Sequence, residues 1–257
     1  MEADDAPPLV LVMSGLDPTG GAGIQADIEA IGAQGGHALP LITASTVQDT
    51  RRVHEVVPVA PALLLRQGRR LLEGLQPAAI KIGLLPSQEV ADAVLALVEA
   101  CSGVPLVLDP VLRSGGGQPL APDMPFAKLL PRCTLITPNR HEARALTGAT
   151  TPARCAARLR QAGVEAVLIT GADEAEGRTL TNSLYQASGE HHWQWPKLPA
   201  SYHGSGCTLA AATAARLALG DDLVSAVERA QRYTHRTLEE GWRPAPGQYL
   251  PRRLSHG

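Results

Sequence analysis

Short apolar runs rich in Val, Ile and Leu recur along this chain of 257 residues, each followed by a longer amphipathic stretch. The candidate strands are Leu9–Met13, Leu39–Thr43, Val53–Val57, Ala78–Ile82, Pro105–Asp109, Thr134–Thr137 and Ala166–Thr170. Most are nearly continuous in apolar character, as expected for strands covered on both faces. The intervening helices are expected over Gly23–Gln34, Pro61–Gly74, Gln88–Ala100, Met124–Leu130, Glu142–Leu146, Ala153–Ala162, Cys207–Leu219 and Leu223–Glu239. Strand–helix alternation of this kind implies right-handed crossovers and a mainly parallel sheet between two helix layers. Thr179–Tyr185 and His191–Trp195 are more polar and read as an antiparallel edge hairpin. The fold class is therefore α/β: a three-layer α/β/α sandwich with a mainly parallel central sheet and an antiparallel edge. No linker or internal repeat divides the chain, so residues 9–243 are expected to form one domain, with 1–8 and 244–257 as tails.

The composition narrows the function classes. Aromatic residues make up only 3%, and Phe126 is the sole phenylalanine. The core must then be aliphatic, and the stacking platforms used to bind single-stranded nucleic acid are scarce. The formal net charge is −2 with no basic stripe, which excludes a polyphosphate backbone as the expected partner. Cys101, Cys133, Cys155 and Cys207 form no C-x-x-C pair, so a zinc site is not expected. Met1 to Pro8 is acidic and Pro-rich and reads as a tail rather than a leader. Reduced thiols and the lack of a membrane-spanning run point to the cytoplasm.

Five segments follow strands, where open α/β sheets place their ligands. Ser14 to Asp27 runs from a strand through four glycines and two carboxylates into a helix. Gly21-x-Gly23-x-x-Ala26 matches a dinucleotide-binding fingerprint, but seven residues separate Gly21 from the strand end, and no acidic residue closes the next strand. A loop that closely approaches a small substrate fits better. Lys81-Ile82-Gly83-Leu84, taken alone, is a strand end with a snorkelling lysine. Asp109 closes an apolar strand, where a carboxylate is costly unless paired or bound to a cation, so it is read as a metal or phosphate residue. Asn139 and Glu142 have the spacing of a capping box, and that local role suffices for them on their own. His203-Gly204-Ser205-Gly206-Cys207-Thr208 opens a long Ala-rich helix. Glycines free backbone N–H groups, the helix N-terminus favours anions, and a first-turn cysteine gains thiolate character suited to a base or nucleophile.

Together these segments resemble the hydroxymethylpyrimidine/phosphomethylpyrimidine kinases of thiamine biosynthesis, in the ribokinase-like superfamily. The resemblance runs from about Val10 to about Trp242. It rests on Gly20-Gly21-Ala22-Gly23-Ile24-Gln25-Ala26-Asp27, Ile42-Thr43-Ala44 with Gln48-Asp49-Thr50, and Lys81-Ile82-Gly83. It extends to Asp109-Pro110-Val111, Ile136-Thr137-Pro138-Asn139 with Glu142, and His203 to Thr208. It implies an ATP- and Mg²⁺-dependent kinase that phosphorylates the hydroxymethyl group of the pyrimidine and then its monophosphate. Gln48 would recognise the pyrimidine edge and Asp27 would help hold the substrate, with Gly15, Gly21 and Leu84 lining the pocket. Asn139, Thr170, Gly171, Ser205 and Arg113 would serve ATP, and Asp109 and Glu142 the metal. Gly204 and Gly206 would help form the anion hole, and Cys207 would be the general base. A homodimer is also expected. Where family members carry lysines, this chain has Arg113-Ser114-Gly115 and Thr170-Gly171-Ala172, and Arg113 is the expected replacement.

A pyridoxal or pyridoxine kinase is the nearest rival, since it acts on a hydroxymethyl group of a related ring. A nicotinamide-dependent oxidoreductase and a non-catalytic pyrimidine-binding protein are the more distant ones.

Overall fold

The computed structural model describes residues 6–112, 124–172 and 177–254. Nine strands form one sheet: β1 (Leu9–Leu16), β2 (His37–Gln48), β3 (Val53–Pro58), β4 (Ala79–Ile82), β5 (Leu106–Leu108), β6 (Leu135–Ile136), β7 (Ala166–Ile169), β8 (Thr179–Gln186) and β9 (Gly189–Pro196). Seven α-helices accompany them among the described residues: α1 (Gly23–Ala33), α2 (Pro61–Leu72), α3 (Gln88–Glu99), α4 (Arg140–Thr147), α5 (Pro152–Gln161), α6 (Ser205–Ala218) and α7 (Leu223–Glu239). The strand order is β3-β2-β1-β4-β5-β6-β7-β8-β9. Strands β2, β1, β4, β5, β6 and β7 are mutually parallel. Both edges are antiparallel: β3 against β2, and the β8–β9 hairpin against β7. Val53–Val57 was expected as one more strand of the mainly parallel set. Only four residues separate it from β2, too few for a crossover, so it folds back as a hairpin.

The pleat sorts the core. Leu11, Met13, Ile80, Ile82, Leu106 and Leu108 pack with Leu64, Val94 and Leu159 on the α2, α3 and α5 side. Val10, Val12, Ala79, Val107, Leu135 and Leu168 pack with Ile24, Leu209 and Val227 on the α1, α6 and α7 side. Fully burying each such Leu, Ile or Val stabilises the fold by about 1.5–3 kcal/mol. Helix α6 is buried along most of its length, with Ala210, Ala211, Ala212, Ala214 and Ala215 at the sheet and against α1 and α7. Its small side chains let it lie close to the strands, which brings its N-terminus to the ends of β4 and β5.

Three differences from the sequence reading have local causes. β2 runs to Gln48, and its last five residues pair with β3, the last three of them beyond the pairing with β1. Asp49 Oδ1 accepts the Arg51 and Arg52 N–H groups and turns this β2–β3 ribbon. The expected helix Met124–Leu130 is a 3-10 helix over Ala127–Arg132, with Pro131 lacking the donor needed to continue it. Residues 244–254 are not a loose tail: Leu250 and Arg253 are 5% and 3% exposed, and the segment bridges to Tyr202 and Trp242. Among the described residues no helix is long and apolar enough to cross a membrane.

Candidate active site

The parallel strands end at one rim, and the order reverses between β1 and β4, where a crevice opens. A cavity of about 590 Å³ follows this rim. Gly15, Gln48 and Leu84 line it at the β1–β2 end, and Asp109, Asn139, Glu142 and Thr170 line the middle. Gly204, Ser205, Gly206 and Cys207 line it from the N-terminus of α6. Segments spread over the whole sequence thus converge on one space.

Two turns frame the transfer point. Asp17 shapes the first: its carboxylate accepts the Thr19 and Ala22 N–H groups at 2.8 and 2.9 Å and the Thr19 hydroxyl at 2.9 Å. His203 Nε2 lies 2.7 Å from the same carboxylate. Burial works against this charge, but the hydrogen bonds from His203 and Thr19 outweigh it and hold Asp17 below the usual carboxylate range. The Ala22 N–H that a bound pyrophosphate would need is therefore occupied, which argues against the dinucleotide reading. The second turn is Gly204, left-handed at φ +78°, which caps α6. A Cβ there would sit 1.9 Å from Gly21 O, so only glycine lets the two turns touch.

Cys207 is the third residue of α6 and is half-buried. The Gly23 amide hydrogen-bonds to its sulfur. The helix N-terminus does not give the resting thiolate expected from sequence. Burial, with the Asp109 and Asp27 carboxylates against the partial relief of Lys81, pushes the thiol up to about 12. These surroundings hold Cys207 as a thiol.

Asp27 does not line the cavity. It is fully buried and forms an ion pair with Lys81, also fully buried, at 2.7 and 2.8 Å from its two oxygens. Burial alone would lower the Lys81 affinity for its proton, but the Asp27 carboxylate paired with it raises it above the ordinary lysine value. Lys81 is thus held charged behind the site, and Asp27 acts as its counter-ion rather than as a substrate contact. Gly21 is also off the cavity wall, packed where a Cβ would strike His203 and Leu250. Gly171 lies behind the wall and donates its N–H to Asn182 Oδ1 at 3.0 Å. Arg113 lies outside the described residues.

Asn139 and Glu142 form the capping box in full, at 2.8 and 3.0 Å, while also lining the cavity. Asp109 is different. Its Oδ2 is buried with no hydrogen-bond partner among the described residues, and the thiol of Cys207 bonds to its carboxylate. Burial, only partly offset by Lys81, raises its carboxyl above the ordinary range. The folded state therefore binds this proton more tightly than the unfolded chain. Stability from this group is present at low pH and is lost as pH rises through the raised value. Asp109→Asn should then raise Tm at pH 7, by the equivalent of about 1 kcal/mol or more, and flatten its acid dependence, while lowering any turnover. Thermal melts from pH 4 to 8 check this, and an unchanged or lower Tm at pH 7 would refute the buried charge.

Other functional-looking residues escaped the sequence reading. Gln231 Oε1 accepts from Asn182 Nδ2 and Trp195 Nε1 at 2.9 and 3.0 Å, leaving its buried Nε2 and the neighbouring Thr234 Oγ1 without partners among the described residues. Both residues line the far end of the cavity. A glutamine on the buried face of amphipathic α7 was the available signal.

The profile of the phosphomethylpyrimidine kinase family matches residues 17–251. A hydroxymethylpyrimidine/phosphomethylpyrimidine kinase of Synechococcus elongatus is 34% identical over 253 residues, 95% of this chain and 96% of its own length. The thiamine biosynthetic bifunctional enzyme TH1 of Arabidopsis thaliana is 34% identical over 90% of this chain, which spans 47% of that protein. The pyridoxal kinase from Staphylococcus aureus, solved in complex with AMP-PCP and pyridoxal, superposes with a TM-score of 0.87 at 27% identity. That match covers 96% of this chain and 94% of the other, and the fold is the ribokinase-like one. With its turns, its half-buried cysteine and its sheet order arranged around one cavity, and its sequence matched over nearly its whole length, this chain belongs to the phosphomethylpyrimidine kinase family.

Proposed function

We propose that the protein transfers the terminal phosphoryl group of ATP to the hydroxymethyl group of hydroxymethylpyrimidine, and then phosphorylates the monophosphate, in thiamine biosynthesis. The observation that carries this reading is the placement of Gln48, Cys207 and Asp109 on one cavity wall. The sheet order separates the two ligands. Gln48 belongs to β2 near one edge, Asn182 and Trp195 to β8 and β9 at the other, and Asp109 follows the central strand β5. The pyrimidine sits at the Gln48 end, and the nucleotide runs toward Trp195 and Gln231. The AMP-PCP complex of the Staphylococcus aureus pyridoxal kinase supports a nucleotide site in this fold.

Gln48 offers the donor and acceptor that an aminopyrimidine edge needs. Thr43 and Thr46 hydroxyls donate to Leu84 O and Leu16 O at 2.6 and 2.9 Å and hold the walls beside it. The N–H groups from Gly204 to Cys207 face the transferring phosphoryl group, and Cys207, once its thiol has released its own proton to solvent, takes the hydroxymethyl proton as the oxygen attacks phosphorus and ADP leaves. Asp109, with its orphaned oxygen, suits Mg²⁺. Glu142 has one oxygen committed to the capping box, and no group of three metal-ligating side chains occurs among the described residues. Such an ion would complete its shell with phosphate oxygens and water. Bound beside Asp109, it would offset the smaller, Asp109 share of what pushes the Cys207 thiol up, burial being the larger, and would draw charge from the phosphates. Among the described residues the cavity is lined by one lysine, Lys197, and by no arginine, so Arg113 remains the candidate for the missing family lysine. We place the protein in the cytoplasm as a homodimer, with Val47 and Val57 exposed on the β2–β3 ribbon as the apolar contact.

The test is a panel of hydroxymethylpyrimidine, its monophosphate, pyridoxine and pyridoxal with ATP and Mg²⁺, read by product mass. Phosphorylation of the vitamin B6 compounds alone would favour the pyridoxal kinase reading, which the 0.87 TM-score to such an enzyme keeps in play. Gln48→Ala should weaken use of the pyrimidine by about 1–3 kcal/mol, since ring nitrogen and amino group lose partners in a dry pocket. The affinity for ATP should hardly change. Unaltered pyrimidine kinetics would place the ring elsewhere.

A further inference from the structure

Residues 248–254 close over the back of both site turns. Tyr249 O accepts the His203 N–H at 2.9 Å, Leu250 N donates to Trp242 O at 2.7 Å, and Arg252 N donates to Thr237 O at 2.9 Å. The segment delivers one buried cation, Arg253, whose side chain is 1% exposed. A buried guanidinium is costly unless its donors are used. Here Nε donates to Thr208 Oγ1 at 2.8 Å, Nη1 to Gly20 O at 3.3 Å and Glu29 Oε2 at 3.1 Å, and Nη2 to Gly21 O. The fork thus grips the loop after β1 with one edge and the first turns of α6 with the other.

Thr208 carries the contact into the anion turn. Its hydroxyl donates to Gly204 O at 2.8 Å, and its N–H donates to the same oxygen at 2.9 Å. These bonds fix the peptide plane between Gly204 and Ser205, and with it the direction of the Ser205 N–H. The fit is tight, since a Cβ on Gly204 would lie 2.9 Å from Arg253 Nη2 as well as against Gly21 O.

We propose that Arg253 is a positioning residue of the active site, holding the substrate loop against the turn that receives the phosphoryl group. The C-terminal segment is then the third part of that site. Lysine cannot replace it, because a single ammonium does not span Thr208, two carbonyls and Glu29 in one plane. The proposal rests on the kinase reading for its rate effect, but its structural effect is measured without substrate.

The experiment compares wild type with Arg253→Ala and Arg253→Lys by hydrogen exchange and by turnover. In both variants the amides of residues 20–23 and 205–208 should exchange at least about tenfold faster, the signature of local opening, while the central strands stay protected. Turnover should fall about 10²-fold, the loss expected for a misplacement near 1 Å, with a smaller change in pyrimidine KM. Methylguanidinium should restore turnover in Arg253→Ala through the adjoining surface recess lined by Gly20, Glu29 and Leu250. Methylammonium should not. Unchanged exchange in the two turns, wild-type turnover in Arg253→Lys, or loss without guanidinium rescue would each overturn the assignment. If Arg253→Ala fails to fold, Arg253→Lys carries the exchange and turnover tests. If wild type phosphorylates nothing in the panel, the kinase reading falls, and the exchange result still decides whether Arg253 joins the two turns.

Discussion

Cys207→Ala should lower turnover about 10²–10⁴-fold, the usual contribution of a positioned general base. Pyrimidine binding should survive, because Gln48 and the walls that Thr43 and Thr46 hold are untouched. Cys207→Ser should melt like wild type and remain slow, since the hydroxyl keeps the volume but is a poorer base. Cys207→Asp should keep part of the activity, because a carboxylate can take the same proton. It should also melt lower, as it brings a third carboxylate to the cluster of Asp27, Asp109 and the single cation Lys81. Thiol alkylation is a weak discriminator. With the thiol pushed up to about 12, the thiolate fraction at pH 8 is on the order of 10⁻⁴, so even a catalytic Cys207 reacts slowly when no substrate is added. Turnover and Tm of the three variants decide the matter. Normal turnover in Cys207→Ala would remove it from the mechanism.

Lys81→Met should destabilise the fold by about 3–5 kcal/mol. The substitution keeps most of the volume but leaves the Asp27 carboxylate in a dry interior without its counter-ion. For a chain of this size each kcal/mol shifts Tm by about 2–4 °C, so the loss is large in a thermal melt. Lys81 is raised above its ordinary value, so its contribution is complete at neutral pH and is lost only as pH climbs past the unfolded lysine value and through the folded one. Lys81→Met combined with Asp27→Leu should recover much of the stability, because removing both charges also removes their desolvation. A Lys81→Met protein that melts like wild type would show that Asp27 is not ionised behind the site.

The alternation of apolar runs located the parallel strands to within about two residues at most ends, because a strand buried on both faces leaves an unbroken apolar run. Asn139 and Glu142 announced their capping box, and Gly204 its turn, because caps and tight turns depend on residues a few positions apart. The chemistry-bearing segments could likewise be read at strand ends, where the topology gathers ligands. What each side chain does there was decided by packing. Asp27 lay in a motif that implied substrate, yet it pairs with Lys81, 54 positions away, once both are sealed from water. Arg253 sat in a Pro-rich stretch with no periodicity, and it gains its role only where Thr208, 45 positions back, and the Gly20–Gly21 carbonyls meet it. The proton on Cys207 was misjudged for the same reason. A helix N-terminus is visible in sequence, whereas desolvation and two carboxylates brought from other strands and helices are not. Patterns set by neighbours along the chain determine the elements; the partners of a buried charge are chosen only when those elements pack.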